Sequence, residues 1–124
     1  MTESAEKKNI TFISRAAPYG QDKANLCLDM ALASAVFEQN INYVFLEDGV
    51  YQLLKGQDAT TIQSKTLGNA LETLELYGIE NIYVDQSSLE KRGFSETDIL
   101  SGASIISKDS ISTLIQQSDS VFNL

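Results

Sequence analysis

Short apolar runs alternate along this chain with longer stretches of helical spacing. Asn9 to Ser14 (NITFIS) is rich in β-branched and aromatic residues and is predicted as the first strand. Arg15 to Gly20 holds the only proline and reads as a loop. A long helix is predicted from Asp22 to Glu38, capped by Asp22 or by Gln21. Asp22, Asn25 and Asp29 lie on one face, which Ala33 and Val36 continue. Leu26-Cys27-Leu28, Ala31-Leu32-Ala33 and Val36-Phe37 make the helix apolar nearly all round. Such a helix is covered on more than one side. In a small domain one cover is the sheet and the other is a second chain, which makes Leu32, Val36 and Phe37 candidate contact residues.

Asn40 is expected to break this helix, and Tyr43 to Leu46 forms the second buried strand. Glu47-Asp48-Gly49 reads as a turn whose glycine supplies a positive φ. Val50 to Leu54 is a short apolar helix or turn, in which Val50, Tyr51 and Leu54 are either core or a contact patch. Gly56 to Thr61 is a surface loop. Leu67 to Tyr77 is the second full helix, with Leu67, Ala70, Leu71, Leu74 and Tyr77 on its inward stripe and Gly78 as its terminating C′ glycine. Ile82-Tyr83-Val84 is a buried strand ended by Asp85. Ser87 and Glu90 then have the spacing of a capping box, and Lys91-Arg92-Gly93 closes the short helix. Phe94 to Leu100 is a connection, Ala103 to Ile106 a strand, Lys108 to Gln117 a helix, and Val121-Phe122 the last strand. This rhythm predicts a three-layer α/β/α domain with a five-stranded parallel sheet covered on both faces. No internal repeat is visible.

Composition narrows the chemistry. A length of 124 residues with 43% hydrophobic content suits one domain with a real core, here 9–124. Met1 to Lys8 is a polar tail without the apolar stretch of a signal peptide, and no run is long enough to span a bilayer. A cytoplasmic location is therefore expected. The net charge of −8 and the scattering of basic residues, singly or as Lys7-Lys8 and Lys91-Arg92, argue against a direct grip on nucleic acid. Protein partners are expected instead. The single cysteine and the absence of histidine remove internal disulfides, Cys-His and Ser-His nucleophile pairs, and the usual zinc sets. No cofactor is expected.

Few groups remain. Cys27 lies inside an apolar helix, whereas a reactive thiolate needs an electropositive, partly exposed setting. An inert packing role and a persulfide-carrier role are the two readings, and position favours the first. Asp48-Gly49 lacks a second ligand at fixed spacing, and Gly20 has no glycine partner for a phosphate cradle. Arg15 and Arg92 are candidate anion contacts or plain surface residues. Asp85 is the most informative position. In an open parallel sheet, chemistry sits outside the carboxyl ends of the strands. Asp85 stands there as a candidate general base, or as a solvated residue near a helix N-terminus.

Taken together, FISRAAPYG before the apolar helix, FLEDGVYQLL, and IYVDQSSLEKRG resemble the DsrE/DsrF-like family of sulfur-relay subunits, most closely its TusC/DsrF branch. The resemblance covers Asn9 to Leu124. It implies the same five-stranded fold and assembly with TusB-like and TusD-like sisters, or DsrH and DsrE, as a dimer of heterotrimers. Such complexes pass persulfide sulfur between cysteines, towards 2-thiouridine at the tRNA wobble position or in dissimilatory sulfur oxidation. In the catalytic sister a relay cysteine follows the strand opening a V-C-x-x-x-x-x-R-G stretch. The position matching it here is Asp85, and Cys27 does not fall on that motif. The resemblance thus implies a non-catalytic subunit of a sulfurtransferase complex. The competing readings are a carrier using Cys27 or Asp85, and a free-standing module binding a small anion near Arg15 or Arg92.

Overall fold

A computed structural model describes residues 7–16, 23–54 and 70–124. In chain order these form β1 (Asn9–Ser14), α1 (Lys23–Val36), β2 (Asn40–Phe45), a 3₁₀ segment (Glu47–Leu53) and α2 (Ala70–Leu76). There follow β3 (Asn81–Asp85), α3 (Gln86–Lys91), a 3₁₀ turn (Glu96–Asp98), β4 (Ser104–Ile106), α4 (Lys108–Gln116) and β5 (Ser120–Asn123). The predicted caps at Gln21 and Asp22, the loop at 56–61 and the start of the second helix at Leu67 lie outside the described residues.

The strands make one five-stranded sheet in the order β4-β3-β2-β1-β5, and every neighbouring pair is parallel. From β1 to β4 the chain steps in one direction across the sheet. Right-handed crossovers then put the intervening helices on one face. The return from β4 to β5 runs the other way and puts α4 on the opposite face. The packing agrees. Phe12, Tyr43, Phe45, Ile82 and Val84 meet Cys27, Leu28 and Ala31 of α1, Leu71 and Leu74 of α2, and Leu89 of α3. A smaller cluster on the other face joins Ile13 and Val44 to Ile111, with Leu114, Leu46, Tyr83 and Ile106 around it.

Two helix ends follow from glycine as anticipated. Gly78 and Gly93 have φ of 83° and 77°. At each, the glycine N–H and the next N–H return to carbonyls of the last turn: Gly78 to Glu75 and Ile79 to Leu74, Gly93 to Glu90 and Phe94 to Leu89. This is the Schellman arrangement, and Ile79 and Phe94 close it by packing back into the core.

Other boundaries differ from the sequence reading. α1 is stopped by Glu38, which takes a φ of 60°, and the Gln39 side chain covers the orphan carbonyl of Phe37. Asn40 is already the first residue of β2, with its N–H on the Lys8 carbonyl. The connection after Phe94 contains the Glu96–Asp98 turn, where Ser95 and Asp98 form a capping box. Gly49 is not at positive φ; Glu47 carries that conformation instead, at 53°. Gly49 is small because the chain passes directly over β1: a Cβ there would stand 2.0 Å from the Ser14 carbonyl oxygen.

That contact makes a direct prediction. Gly49→Ala must push backbone against backbone, with no flexible side chain to yield, so it should destabilise the fold by about 3 kcal/mol. Urea unfolding reads this as a lowered midpoint at constant slope; an unchanged midpoint would show that the approach is not tight.

Candidate functional site

The loops leaving β1, β2 and β3 turn towards the α1 face, while the one leaving β4 turns towards α4. The exits therefore diverge between the neighbours β3 and β4, which is where open α/β sheets form their binding crevice. Asp85, the last residue of β3, pairs in register with Ile106, the last residue of β4. A cavity of about 370 Å³ opens beside it, on the α4 side.

No loop separates β3 from α3. Asp85 is the N-cap itself, and its Oδ2 accepts from the Ser88 N–H (3.1 Å) and the Ser88 hydroxyl (2.6 Å). The cap is thus Asp85 and not Ser87, because the helix begins at once on Gln86 and places Ser88 at N3. Glu90 does not reach back to a backbone N–H; it accepts instead from the Gln86 side chain. Ser88 Oγ in turn accepts the Glu47 N–H (2.8 Å), which fixes the left-handed residue at the end of β2. Asp85 is only 5% exposed, so it is not a solvated surface carboxylate. Its other oxygen, Oδ1, is buried without a hydrogen-bond partner.

Arginines frame this edge. Arg92 reaches Asp48 through Nη2 (2.9 Å) and Nε (3.3 Å), and donates to the Ser88 carbonyl (3.2 Å). Arg15 stands 3.9 Å from Glu47. Both line the cavity with Lys91 and Lys108. Sequence spacing brought out Asp85, Arg15 and Arg92 but not Ser88 or Lys108. The missed signal was the D-x-x-S interval of Asp85 and Ser88, a capping interval two residues before that of Ser87 and Glu90.

Cys27 is on the other side of the sheet, fully buried on the inner face of α1. Burial raises the pKa of its thiol above the ordinary value, and the polar side chains of Tyr43 and Ser14 nearby offset this only in part. Tyr43 is shifted the same way and further, by burial first and by Cys27 beside it second. Among the described residues no cluster of three His, Cys, Asp or Glu side chains could hold a metal ion, and no helix is long and apolar enough to cross a membrane.

The candidate contact residues separate into two groups. Val36 and Phe37 are 66% and 74% exposed, and Leu26, Leu76 and Tyr77 add to the apolar surface of α1 and α2. Leu32 is partly buried against the main core. Val50 is a correction: it is fully buried within the chain, since the 3₁₀ turn points it into the core, and Leu54 packs on the same cluster. Tyr51 meets Phe94 edge to face, with ring centroids 5.7 Å apart. Tyr77, read as an inward residue of α2, is half exposed because the helix ends just before it.

An all-parallel five-stranded sheet with helices on both faces makes this an α/β protein, and a model of the DsrE/DsrF-like family matches residues 8–124. The chain belongs to the DsrE/DsrF-like family. It is 35% identical to the "Intracellular sulfur oxidation protein DsrF" of Allochromatium vinosum, over 94% of this chain and 96% of that protein. It is 32% identical to a "Protein TusC homolog" of Pseudomonas aeruginosa over 94% and 98% of the two chains. With a TusC homolog of Vibrio parahaemolyticus it shares 34%, over 87% and 92%. The crystal structure of the ychN protein from E. coli superposes with a TM-score of 0.82 over 94% of this chain and 99% of that one, at 20% identity, which is a likeness of fold.

The buried acids on the α1 face set a pH dependence. Their protons are held more tightly in the folded chain than in the unfolded one, so the folded state binds more protons once pH exceeds the ordinary thiol and phenol values of 9.0 and 10.0. Stability is then complete below about pH 8.5 and falls as pH rises through those values. Tyr43→Phe should flatten the upper part of that decline. Chemical denaturation from pH 7 to 11 tests it, and an equally steep alkaline limb in the variant would contradict the assignment.

Proposed function

We propose that this chain is a non-catalytic, structural subunit of an intracellular sulfur-relay complex. The observation that carries the reading is Asp85: where the family's relay thiol is implied, a buried carboxylate caps its own helix. A carboxylate cannot hold a sulfane sulfur. The only thiol of the chain, Cys27, is buried on the inner face of α1 with a raised pKa, so it offers neither access nor thiolate. The names of the relatives, DsrF and TusC homolog, support the sulfur-relay setting.

The partners proposed are TusB-like and TusD-like sister subunits, or DsrH and DsrE, in a dimer of heterotrimers. Exposed Leu26, Val36, Phe37 and Leu76 support a protein contact on the α1 and α2 side. The proposed end product is 2-thiouridine at the tRNA wobble position, which the recurring TusC names favour. The DsrF relative supports a second reading, a subunit of a sulfur-oxidation relay. The two share every residue argued above and differ in the final acceptor. No direct contact with nucleic acid is part of either.

Two experiments test the reading. After incubation with a cysteine desulfurase, cysteine and the sister subunits, intact-mass measurement should find sulfur on a sister and none on this chain. Cys27→Ser should keep transfer near its original rate, since Ser14 and Tyr43 can accommodate a hydroxyl there. Stoichiometric sulfur on Cys27, or lost transfer in an assembled Cys27→Ser complex, would overturn it. Separately, Val36→Asp or Phe37→Asp should block assembly by burying an unpaired charge, a cost of about 3 kcal/mol or more. Because both side chains are exposed in the single chain, its own melting temperature should hold. Recovery of either variant in full-size complex would relocate the contact.

A further inference from the structure

Four of the chain's nine basic residues, Arg15, Lys91, Arg92 and Lys108, line the one 370 Å³ cavity beside Asp85. The chain's net charge is −8, so this convergence runs against its overall balance. Arg92 is engaged by Asp48 and Arg15 stands near Glu47, but neither Lys91 nor Lys108 is paired with a carboxylate among the described residues. Ser87 and Ser112 also line the wall. The cavity thus offers charged and neutral donors at the switch point of the sheet.

Two carboxylates stand among these donors: Glu47, which lies 3.9 Å from Arg15, and Asp85. Asp85 lines the same cavity, and its Oδ1 is buried with no partner, a state that costs free energy unless something donates to it. A cationic ligand would meet Lys91, Lys108 and Arg15. A fully deprotonated oxyanion would satisfy the cations but set its oxygens against Asp85. An anion that carries its own hydroxyl meets both demands, with its charged oxygens on the lysines and its O–H turned to the Asp85 carboxylate. We infer that this cavity is a binding site for a protonated tetrahedral oxyanion of the hydrogenphosphate class, selected against sulfate by Asp85. The inference is independent of the structural-subunit reading, because it requires no transfer chemistry and no partner chain.

The test is a titration of the full chain, labelled with ¹⁵N, by inorganic phosphate and by sulfate at pH 7 and constant ionic strength. Saturable shifts at the Ser87, Ser88 and Ser112 amides are expected with phosphate, and binding at least about tenfold weaker with sulfate. The double variant Lys91→Gln/Lys108→Gln, at two exposed positions, should weaken phosphate by at least about tenfold. Asp85→Asn keeps a good N-cap and should erase the discrimination, so that sulfate binds as well as phosphate. Non-saturable shifts with both ions, an unaffected double variant, or discrimination that survives Asp85→Asn in a folded chain would each overturn the proposal.

Discussion

A hydrogen-bond relay joins two strand ends across the carboxyl edge of the sheet. The Glu47 N–H donates to the Ser88 hydroxyl, and that hydroxyl donates to the Asp85 carboxylate, which also takes the Ser88 N–H. Bonds to a buried charged acceptor contribute about 1.5–3 kcal/mol each, more than ordinary neutral pairs. The relay does three things at once. It starts α3 without a loop, holds Glu47 in the left-handed conformation, and so directs the 3₁₀ segment over β1, where Gly49 passes the Ser14 carbonyl. The Arg92 guanidinium locks the same corner from outside by bridging Asp48 to the Ser88 carbonyl.

A carboxylate suits this position where a thiol would not. The relay needs a strong acceptor that can take an N–H and an O–H on one oxygen, and an aspartate does this as an N-cap. On the proposed reading, the residue that gives up sulfur chemistry therefore gives the corner rigidity in exchange. Oδ1 of Asp85 is left unpartnered, and the residue lines a cavity with Arg15, Lys91, Arg92 and Lys108. On the proposed reading, a crevice without a nucleophile still has the charged lining of a binding site, which is the physical ground for the oxyanion inference.

Much of this was legible in residue order, and the failures have a common cause. Strand positions, the parallel alternation and both C′ glycines followed from local rules, because Gly78 and Gly93 need only their own backbone conformation. The packing role of Cys27 was legible too, since its helical neighbours are apolar. Gly49 was misread because its reason is not local: it is small to clear a carbonyl 35 residues earlier in the chain. Ser87 has the spacing of a cap, but α3 starts at Gln86 directly on the end of β3, which makes Asp85 the N-cap. Val50 looked equally able to face out or in, a choice that the 3₁₀ turn makes and the apolar pattern does not. The convergence of Arg15, Lys91 and Lys108 was illegible for the same reason, as it arises from three separate crossovers.

The two functional surfaces argued for are at opposite ends of the sheet. Helices in a parallel sheet run back against the strands, so the C-termini of α1 and α2 lie at the amino edge. Val36, Phe37, Leu76 and Tyr77 are all at those ends, and Ala35, Glu38, Tyr77 and Gly78 share a recess with Asn40 and Asn81, the first residues of β2 and β3. Asp85 and its cations are at the carboxyl edge, on the face that α4 covers. A partner seated on the exposed apolar ends of α1 and α2 would leave the cavity open. The sheet then works as a spacer. Its main core, built on Phe12, Tyr43 and Phe45, separates a surface suited to being held from a crevice suited to a small anion, and changes at one need not register at the other.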